Sequence, residues 1–511
     1  MGVTESQPNR EQGAASSNGV NGSSADHGRR LSAVDGSFLR LESPQSHMHV
    51  GFSAVFAAPT DQPRPSVEAL RERAAGRLHE VPWCRWRLDD APLGLSEPRW
   101  IDDAHFDLAA HIVELTPPDD VVSYATFEAL RSTVLSAPLD RSRPLWQIFV
   151  VPHLDDERVG MVGKIHHALV DGLAALQIVS LILDSEPDVE SQPPASWEPR
   201  GRPGPLGWAV DAVKTTLEDG VGALRAGAHA ATHPEKTIGS VLRSARRLAG
   251  AVTEDVLPSA PRSSLNATIG ARRTLVGYHA TRDELRRARR AGGTLNDVGL
   301  AAVAGALRTL VLRNGEQPAE PLKAMVPVSM RRLGDGTAGN QIAMVFIPLP
   351  VHLGLPRERL QWVRRQTELL KHTDRPVGTQ TLYQAAGLLP TPLRSPVAKA
   401  MATSRQFNLT VSQSPAPRGS LYLLGCELEE VYSVVPIAQG HALAIGMVRY
   451  RQELFFGCYA DPDVLPEVHE LPGLLEVELQ ALGDAAAGAS NGAPRRAAGR
   501  PGSADTPTVP A

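Results

Sequence analysis

Cysteine is scarce in this chain of 511 residues. The three cysteines, Cys84, Cys426 and Cys458, are odd in number and widely separated, and no C-x-x-C pair occurs. This spacing excludes a disulfide framework and a zinc ribbon as the basis of the fold. We therefore expect the protein to work in a reducing compartment, the cytoplasm.

The chain also has no excess of positive charge and few aromatic residues. Lys and Arg together number 52 against 56 Asp and Glu, a net charge of −4, and aromatic residues make up 5%. A protein that binds nucleic acid needs a clear basic excess for the phosphates, and single-strand binders need aromatic platforms for the bases. We therefore expect no nucleic-acid partner.

Long hydrophobic runs are missing as well. The first thirty residues contain no apolar stretch, so the sequence predicts no signal peptide. Nowhere does the chain reach the roughly 20 uninterrupted apolar residues of a spanning helix. These absences predict a soluble protein, or one that is at most peripheral to a membrane.

Several common catalytic motifs are absent. The sequence has no G-x-S-x-G elbow of serine hydrolases, no Walker A segment, no G-x-G-x-x-G fingerprint and no H-E-x-x-H pair. The first absence argues against a serine hydrolase, and the others against a P-loop enzyme, a dinucleotide-binding enzyme and a zinc protease.

Composition divides the chain into bodies and connecting segments. Residues 1–30 and 484–511 are rich in small and polar residues, and we expect both tails to be disordered. The region 186–265 begins as a Pro/Gly-rich linker. It separates an N-terminal domain, 31–185, from a C-terminal domain, 266–483.

The second part of that connecting region has helical periodicity. Residues 208–256 are predicted to form helices, and KTIGSVLRSARRLAGAV places apolar residues beside three arginines. A basic amphipathic helix of this kind can lie on an anionic lipid surface. The alternative is an ordinary surface helix that covers a domain.

Strand and helix patterns alternate in both bodies. After the linker, TLVGYHA is typical of a strand, and RDELRRARRAGG and NDVGLAAVAGALRTLVLRNG are typical of helices. KAMVPVSM, QIAMVFIPLPV, LYLLGCEL, ALAIGMVRY and ELFFGCYAD are predicted strands. The alternation predicts an α/β architecture with a cleft between the two halves.

The strongest local signal is KIHHALVDGLAALQIVSLIL. Residues 144–154 and 159–165 are predicted strands, and the second strand ends at His166 and His167. An apolar-faced helix is then predicted to begin near Leu173. A polar loop between a strand and a helix is a common place for reactive groups, because the scaffold holds the loop in position.

Two histidines and a carboxylate in such a loop indicate proton transfer. A neutral imidazole can accept a proton from an alcohol or a thiol near neutral pH. Asp171 can hold the loop through an ion pair or a hydrogen bond, and Gly172 permits a tight turn. Two alternatives stay open on the residues alone: a structural histidine pair, and a metal site. No other histidine pair among the sixteen histidines has a recognisable ligand spacing.

These residues, His166-His167-Ala168-Leu169-Val170-Asp171-Gly172, resemble the HHxxxDG motif of the coenzyme-A-dependent acyltransferases, which include chloramphenicol acetyltransferase and nonribosomal condensation domains. The flanking blocks narrow the resemblance to the bacterial wax ester synthase/diacylglycerol acyltransferase family. In chain order the blocks are LSAVDGSFLRLESPQSHMHVG (31–51), PRWIDDAHFDLAAHI (98–112), PLDRSRPLWQI (138–148), LNATIGARR (265–273), TLNDVGLAAVAGALR (294–308), MVPVSMR (325–331) and GNQIAMVFIPLP (339–350).

The resemblance implies two chloramphenicol-acetyltransferase-like domains with an active-site tunnel between them. It implies that His167 is the general base, that His166 shapes the site, and that Asp171 is structural. Asn296 would donate to the developing oxyanion, and Asp297 would support the turn before its helix. A helix N-cap is the alternative role for Asn296. No permanently bound cofactor or metal is implied, and acyl-CoA is the co-substrate.

The implied reaction is long-chain acyl transfer from acyl-CoA to diacylglycerol, at a membrane face or lipid droplet. The alternatives are a long-chain alcohol as acceptor, another lipid or polyketide alcohol, and a catalytically weak lipid-droplet-binding protein. One departure bears on the acceptor: the family's Ser-Asn-Val-Pro-Gly-Pro block reads Ser-Gln-Ser-Pro-Ala-Pro here, with Gln413 and Ala416. Acyl length and oligomeric state are left open by the sequence.

Overall fold

We describe the fold from a computed structural model, for residues 29–58, 64–90, 98–117, 119–169, 174–201, 204, 259–329, 342–371, 406–415 and 419–491. The helices are α1 (Ala33–Leu41), α2 (Val67–Arg77), α3 (Tyr124–Ser136), α4 (Ala174–Ile182), α5 (Arg282–Arg289), α6 (Leu295–Arg313), α7 (Pro356–Lys371) and α8 (Leu471–Asn491). The strands are β1 (Arg29–Arg30), β2 (His49–Phe56), β3 (Trp86–Asp89), β4 (Arg99–Asp102), β5 (Ile112–Glu114), β6 (Trp146–Val151), β7 (Val159–His166), β8 (Thr274–Ala280), β9 (Leu322–Ser329), β10 (Ile342–Leu349), β11 (Leu409–Pro415), β12 (Tyr422–Leu423), β13 (Cys426–Val434), β14 (Leu443–Tyr450) and β15 (Glu453–Ala460).

The first large sheet has the strand order β12-β13-β2-β7-β6-β5. Strand β7 is central in this sheet, and all eight of its residues are buried. Burial on both faces explains why the strand is a near-continuous apolar run instead of an alternating one. Its two outer strands on one side, β12 and β13, come from the C-terminal part of the chain. The first sheet is therefore completed by the second half of the sequence.

The second large sheet has the order β10-β9-β11-β14-β15-β8. Most neighbours are antiparallel, but β11 pairs in parallel with both β9 and β14. Parallel neighbours require a long crossover connection, and the segment between β10 and β11 contains helix α7. A small third sheet, β1-β4-β3, lies in the N-terminal half.

Strand β13 packs closely on the second sheet because that sheet has a row of glycines. Gly446, Gly457 and Gly277 lie side by side on β14, β15 and β8. A Cβ atom at Gly277 would lie 2.5 Å from the Tyr432 ring, and one at Gly457 would lie 2.6 Å from the carbonyl oxygen of Ser433. Both contacts are far below van der Waals distance, so β13 can occupy this position only over glycine.

Helix α3 packs on strands of both large sheets, and the buried side chain of Arg131 links the two. Its guanidinium donates to the Ser53 hydroxyl at 3.3 Å and to the carbonyl oxygen of Leu275 at 2.6 Å. Ser53 is on β2 and Leu275 is on β8. Because the side chain is 1% exposed, both hydrogen bonds are protected from water.

Helix α6 forms the centre of the second body. In length and apolar composition it is the one helix of the described residues that would suit a membrane span, but 72% of that window is buried inside the protein. It packs against α7, α8 and β10. Gly305 of α6 lies directly beneath the Glu478 side chain of α8, which pairs with the buried Arg359 of α7. The apolar composition of α6 thus reflects its central place in the core.

The α/β architecture in two bodies is confirmed, and so are most of the predicted strands and helices around the site. LYLLGCEL is an exception: it forms β12 and the start of β13, separated by a turn at Leu424 and Gly425, which both have positive φ. The expectation that residue 484 begins the disordered tail is wrong, because α8 runs to Asn491. The alanine-rich sequence there favours helix.

Two further expectations concern the N-terminal tail and the connecting region 186–265. Arg29 and Arg30, which were expected to belong to the disordered N-terminal tail, form β1 and pair with β4. The described linker residues contain no helix and pack on the N-terminal body, where Arg73 of α2 binds the Ser191 hydroxyl and the Val189 carbonyl oxygen. The predicted helices in 208–256 lie outside the described residues.

The glycine row predicts a specific stability effect. Gly457→Ala should lower the free energy of unfolding by about 1–3 kcal/mol, because the new methyl group overpacks β15 against the β13 backbone. Gly473→Ala, at an exposed position of α8, is the control, since no neighbouring atom lies within 4 Å of its added methyl group. Urea denaturation measures both variants. Equal stability of Gly457→Ala and the control would contradict the close packing of β13.

Candidate active site

The histidine pair lies at the end of β7, and backbone hydrogen bonds fix it there. His166 is paired with His49 in the β2–β7 register. The His166 amide donates to the carbonyl oxygen of Leu145 at 2.9 Å, and the His167 amide donates to that of Met48 at 3.0 Å. Both backbone positions are therefore set by the first sheet and its flanking segments, while the two side chains have different surroundings.

His166 is a buried, neutral imidazole whose tautomer is determined by its surroundings. Its side chain is 1% exposed, and its Nδ1 accepts a hydrogen bond from the Ala168 amide at 3.1 Å. A backbone amide can only donate, so Nδ1 supplies the lone pair and the ring proton is on Nε2. Burial lowers the pKa of His166 to about 3, and the charge of Arg141 acts in the same direction.

The Nε2 atom of His166 faces a carboxylate that is already paired. It lies 3.6 Å from Oε1 of Glu42, the residue that ends α1. Arg141 binds Oε2 of the same carboxylate through two nitrogens, with the Nε contact at 2.7 Å. Burial raises the pKa of Glu42, and the Arg141 charge opposes that rise. Glu42 therefore forms its ion pair with Arg141 and not with His166, which is neutral and lies beside the pair.

His167 has the more accessible position of the two histidines. Its side chain is half-buried, and its ring stacks on Phe38 of α1 with centroids 3.9 Å apart and planes inclined by 7°. Parallel stacking at this distance fixes the plane of the imidazole. The edge of the ring, with its nitrogens, is therefore held in a defined direction.

Two more histidines, His47 and His49, lie next to the pair. The His47 and His49 rings stack at 5.5 Å, and His49 contacts His166 edge-on at 6.3 Å. Burial lowers the pKa of both, that of His49 to well below its usual value, with the Lys164 charge as a further cause. The group consists of neutral imidazoles, so it adds no positive charge next to His167.

Asn296 and Asp297 lie in the second body, at the start of α6. The hypothesis that Asn296 caps this helix is wrong: the N-cap is Thr294, whose hydroxyl accepts from the Asp297 amide. Asp297 closes the capping box by accepting from the Thr294 amide at 2.8 Å, and its other oxygen accepts from Thr367 of α7 at 2.7 Å. Within the described residues, the side-chain amide of Asn296 has no hydrogen-bond partner.

The structure describes only some of the other predicted site residues. Asp171 and Gly172, which follow the histidines, and Ala416 are outside the described residues. Gln413 is exposed on β11. Among the residues that the structure describes, no group of three or more His, Cys, Asp and Glu side chains is arranged to hold a metal ion.

Sequence reasoning missed Phe38, Glu42 and Arg141 as site residues. Phe38 and Glu42 lie about 125 residues from the histidine pair along the chain, and Arg141 lies about twenty-five residues from it. All three belong to the blocks 31–51 and 138–148 that carry the family resemblance. The blocks mark these residues as part of the family pattern, but only the folded chain shows their contact with the histidines.

The buried neutral His166 predicts a pH dependence of stability. Its folded pKa is about 3 and its unfolded value is near 6.5, so between these values the unfolded chain binds the extra proton. The free energy of unfolding should therefore fall by about 1 kcal/mol for each pH unit below 6.5 on account of His166. His166→Asn, whose Oδ1 can accept from Ala168, should flatten this slope in denaturation curves between pH 7 and pH 5.

The matched control is His105→Asn, at an exposed histidine. It should keep the wild-type slope. If His166→Asn also kept that slope, the assignment of His166 as a neutral group in the folded protein would fail.

Two models of one protein family match most of the chain. Residues 31–299 match the wax ester synthase/diacylglycerol acyltransferase catalytic domain, and residues 338–483 match the C-terminal domain of the same family. A Mycobacterium bovis protein named as a diacylglycerol O-acyltransferase is 30% identical over 92% of this chain and 94% of its own length.

Solved structures show the same fold. A wax ester synthase/diacylglycerol acyltransferase from Marinobacter aquaeolei VT8 is 25% identical, with a TM-score of 0.65 over 90% of this chain and 100% of that chain. A starter condensation domain of rhizomide synthetase, at 16% identity, shares the fold alone, with a TM-score of 0.53 over 90% of this chain and 95% of that one. From the family matches, the chain belongs to the wax ester synthase/diacylglycerol acyltransferase family and is an acyl-CoA-dependent O-acyltransferase.

Proposed function

We propose that this protein transfers a long-chain acyl group from acyl-CoA to the hydroxyl of diacylglycerol, with His167 as the general base. The observation that carries the proposal is the difference between the two histidines. His166 is fully buried and its lone pair is used by the Ala168 amide. His167 is half-buried, next to it, and held by stacking on Phe38.

A general base needs a nitrogen lone pair that can reach the substrate hydroxyl. His166 does not meet this requirement, because its Nδ1 already accepts a hydrogen bond and its Nε2 carries the proton. Its low pKa also makes it a poor proton acceptor at neutral pH. His166 therefore shapes the site. The Glu42–Arg141 ion pair lies next to His166 and forms a polar border of the site.

The proposed reaction begins when His167 takes the proton from the acceptor hydroxyl. The oxygen then attacks the carbonyl carbon of the thioester, which forms the new carbon–oxygen bond and a tetrahedral oxyanion. When the carbon–sulfur bond breaks, the proton passes from His167 to the departing thiolate. The products are triacylglycerol and free CoA, and the enzyme ends in its starting protonation state.

The second body supplies the oxyanion donor of the proposed mechanism. Asn296 donates to the oxyanion, and Asp297 holds the first turn of α6 that carries Asn296. Asp171 holds the loop after the histidines. Acyl-CoA and the acceptor enter a tunnel between the two bodies from opposite sides.

Diacylglycerol is proposed as acceptor because the relatives at 28–30% identity are named for it. Long-chain alcohols are the second candidate, since the related Marinobacter protein is named a wax ester synthase as well. Both acceptors and the product are lipids of membranes and droplets. We accordingly propose that the enzyme works in the cytoplasm, peripherally at the inner membrane face or at lipid droplets.

His167→Ala should lower kcat/KM by about 10²–10⁴, because a positioned general base contributes that factor. The assay follows labelled palmitoyl-CoA with dioleoylglycerol or hexadecanol, and thin-layer chromatography separates triacylglycerol from wax ester. His105→Ala, at an exposed histidine, is the control and should retain wild-type activity.

Wild-type turnover by His167→Ala would refute the general-base assignment. Wax ester as the sole wild-type product would move the acceptor to fatty alcohols. If wild type gave no product while droplet association survived in His167→Ala, a binding role would replace the catalytic one.

Asn296→Ala should lower kcat by about 10²–10³, the usual effect of one lost oxyanion donor. Its thermal stability should stay at the wild-type level, because Thr294 and not Asn296 caps α6. Thr294→Ala is the contrasting variant: loss of the cap should cost about 1 kcal/mol of stability. A stability loss in Asn296→Ala that accounts for its lower activity would contradict the oxyanion role.

A further inference from the structure

A cavity lined by arginines lies in the second body, away from the histidine pair in sequence. Its volume is about 1220 Å³, and it lies between α5, the start of α6, strand β11 and the turn that joins β14 to β15. The lining residues are Arg282, Leu285, Arg286, Arg289, Arg290, Gly293, Thr294, Leu295, Gln413, Ser414, Arg449, Arg451 and Gln452. No carboxylate is among them.

The periodicity of α5 and its C-terminal flank explains why the arginines converge. Arg282, Arg286 and Arg289 recur at helical spacing, and Arg290 follows directly, so their side chains share one face. Leu285, at the edge of the same face, and Ala288 are buried and anchor the helix in the core. The cavity wall is therefore an exposed basic stripe on a well-anchored helix.

Within the described residues, most of these charges are not neutralised by a carboxylate. Arg282, Arg289, Arg290 and Arg449 have no ion-pair partner in the described part of the chain. Arg286 has only the exposed Asp283, at 3.5 Å, and Arg451 pairs with Glu427 outside the cavity at 2.7 Å. Several guanidinium groups around one concave space, without a carboxylate, favour a ligand that carries more than one phosphate.

The shape favours a small ligand over a lipid surface. At about 1220 Å³ the cavity is somewhat larger than the common range for small-molecule sites, about 300–1,000 Å³, so it has room for a nucleotide. An amphipathic membrane-binding surface combines basic side chains with apolar side chains that insert among the lipids. Here Leu285 is buried and Leu295 is half-buried, so neither projects into solvent.

We propose that this cavity binds the phosphate-bearing nucleotide end of acyl-CoA, with its diphosphate and 3′-phosphate, through Arg289 and Arg449 and the neighbouring arginines. The inference rests on the proposed function, and names where that co-substrate is held. The cavity adjoins the proposed chemistry, since Thr294 and Leu295 in its wall immediately precede Asn296. The cavity wall also contains Gln413, so this one of the two departures from the family block lies at the proposed nucleotide end of the donor.

The test uses the purified full-length protein and the double variant Arg289→Ser/Arg449→Ser. The control is Arg357→Ser/Arg365→Ser, which removes the same charge from exposed positions of α7. The KM for palmitoyl-CoA should rise about tenfold or more in the cavity variant and stay unchanged in the control. With palmitoyl-pantetheine, which lacks the nucleotide, the cavity variant and wild type should react equally.

A direct binding measurement separates the cavity from catalysis. Adenosine 3′,5′-bisphosphate should bind wild type and the control in calorimetry, and its affinity should fall about tenfold or more in the cavity variant. If wild type lacked acyl transfer but this pattern held, the proposed function would fail and the phosphate site would stand.

Two results would overturn the proposal. One is the same KM for palmitoyl-CoA and the same bisphosphate affinity in the cavity and control variants. The other is loss of binding to phosphatidylglycerol vesicles in the cavity variant, with bisphosphate affinity unchanged, which would assign the arginines to lipid headgroups.

Discussion

The close crossing of β13 over the glycine row is the constraint on which the two-body arrangement depends. Strand β13 is hydrogen-bonded into the first sheet beside β2, yet its residues Tyr432 and Ser433 lie directly on the second sheet. Gly277, Gly446 and Gly457 provide the space, because any side chain there would force the sheets apart. One strand thus belongs to one sheet and packs on the other, which fixes their separation.

This junction extends to the histidine pair. Just beyond β13, the carbonyl oxygen of Ile437 accepts from the Ser46 hydroxyl at 2.8 Å, and Arg273 of the second body binds the carbonyl oxygen of Gln45. The segment held in this way continues to Met48, whose carbonyl oxygen accepts from the His167 amide. The second body therefore helps to set the position of a residue in the first, through a short series of hydrogen bonds.

Electrostatics divides the site into a neutral part and a charged part. The imidazoles of His47, His49 and His166 are kept neutral by burial, and the paired charges of Glu42 and Arg141 offset each other. Lys164 is a further cation near these imidazoles, and its charge adds to the lowering of the pKa of His47 and His49. A larger group of positive charges lies in the arginine cavity of the second body, the site proposed for a phosphate-bearing ligand.

The sequence by itself determined the strand and helix types around the site, the α/β class and the family, because apolar periodicity and block order are local properties. It did not show that β13 completes the first sheet, nor that Glu42 and Arg141 border His166, nor that α5 and the β14–β15 turn enclose one cavity. It also led to the wrong cap for α6, since the Thr294–Asp297 box outcompetes Asn296. These features were decided by the tertiary structure. Most of them join residues that are far apart in the chain. The cap depends on which of two neighbouring polar side chains accepts the hydrogen bond from a backbone amide.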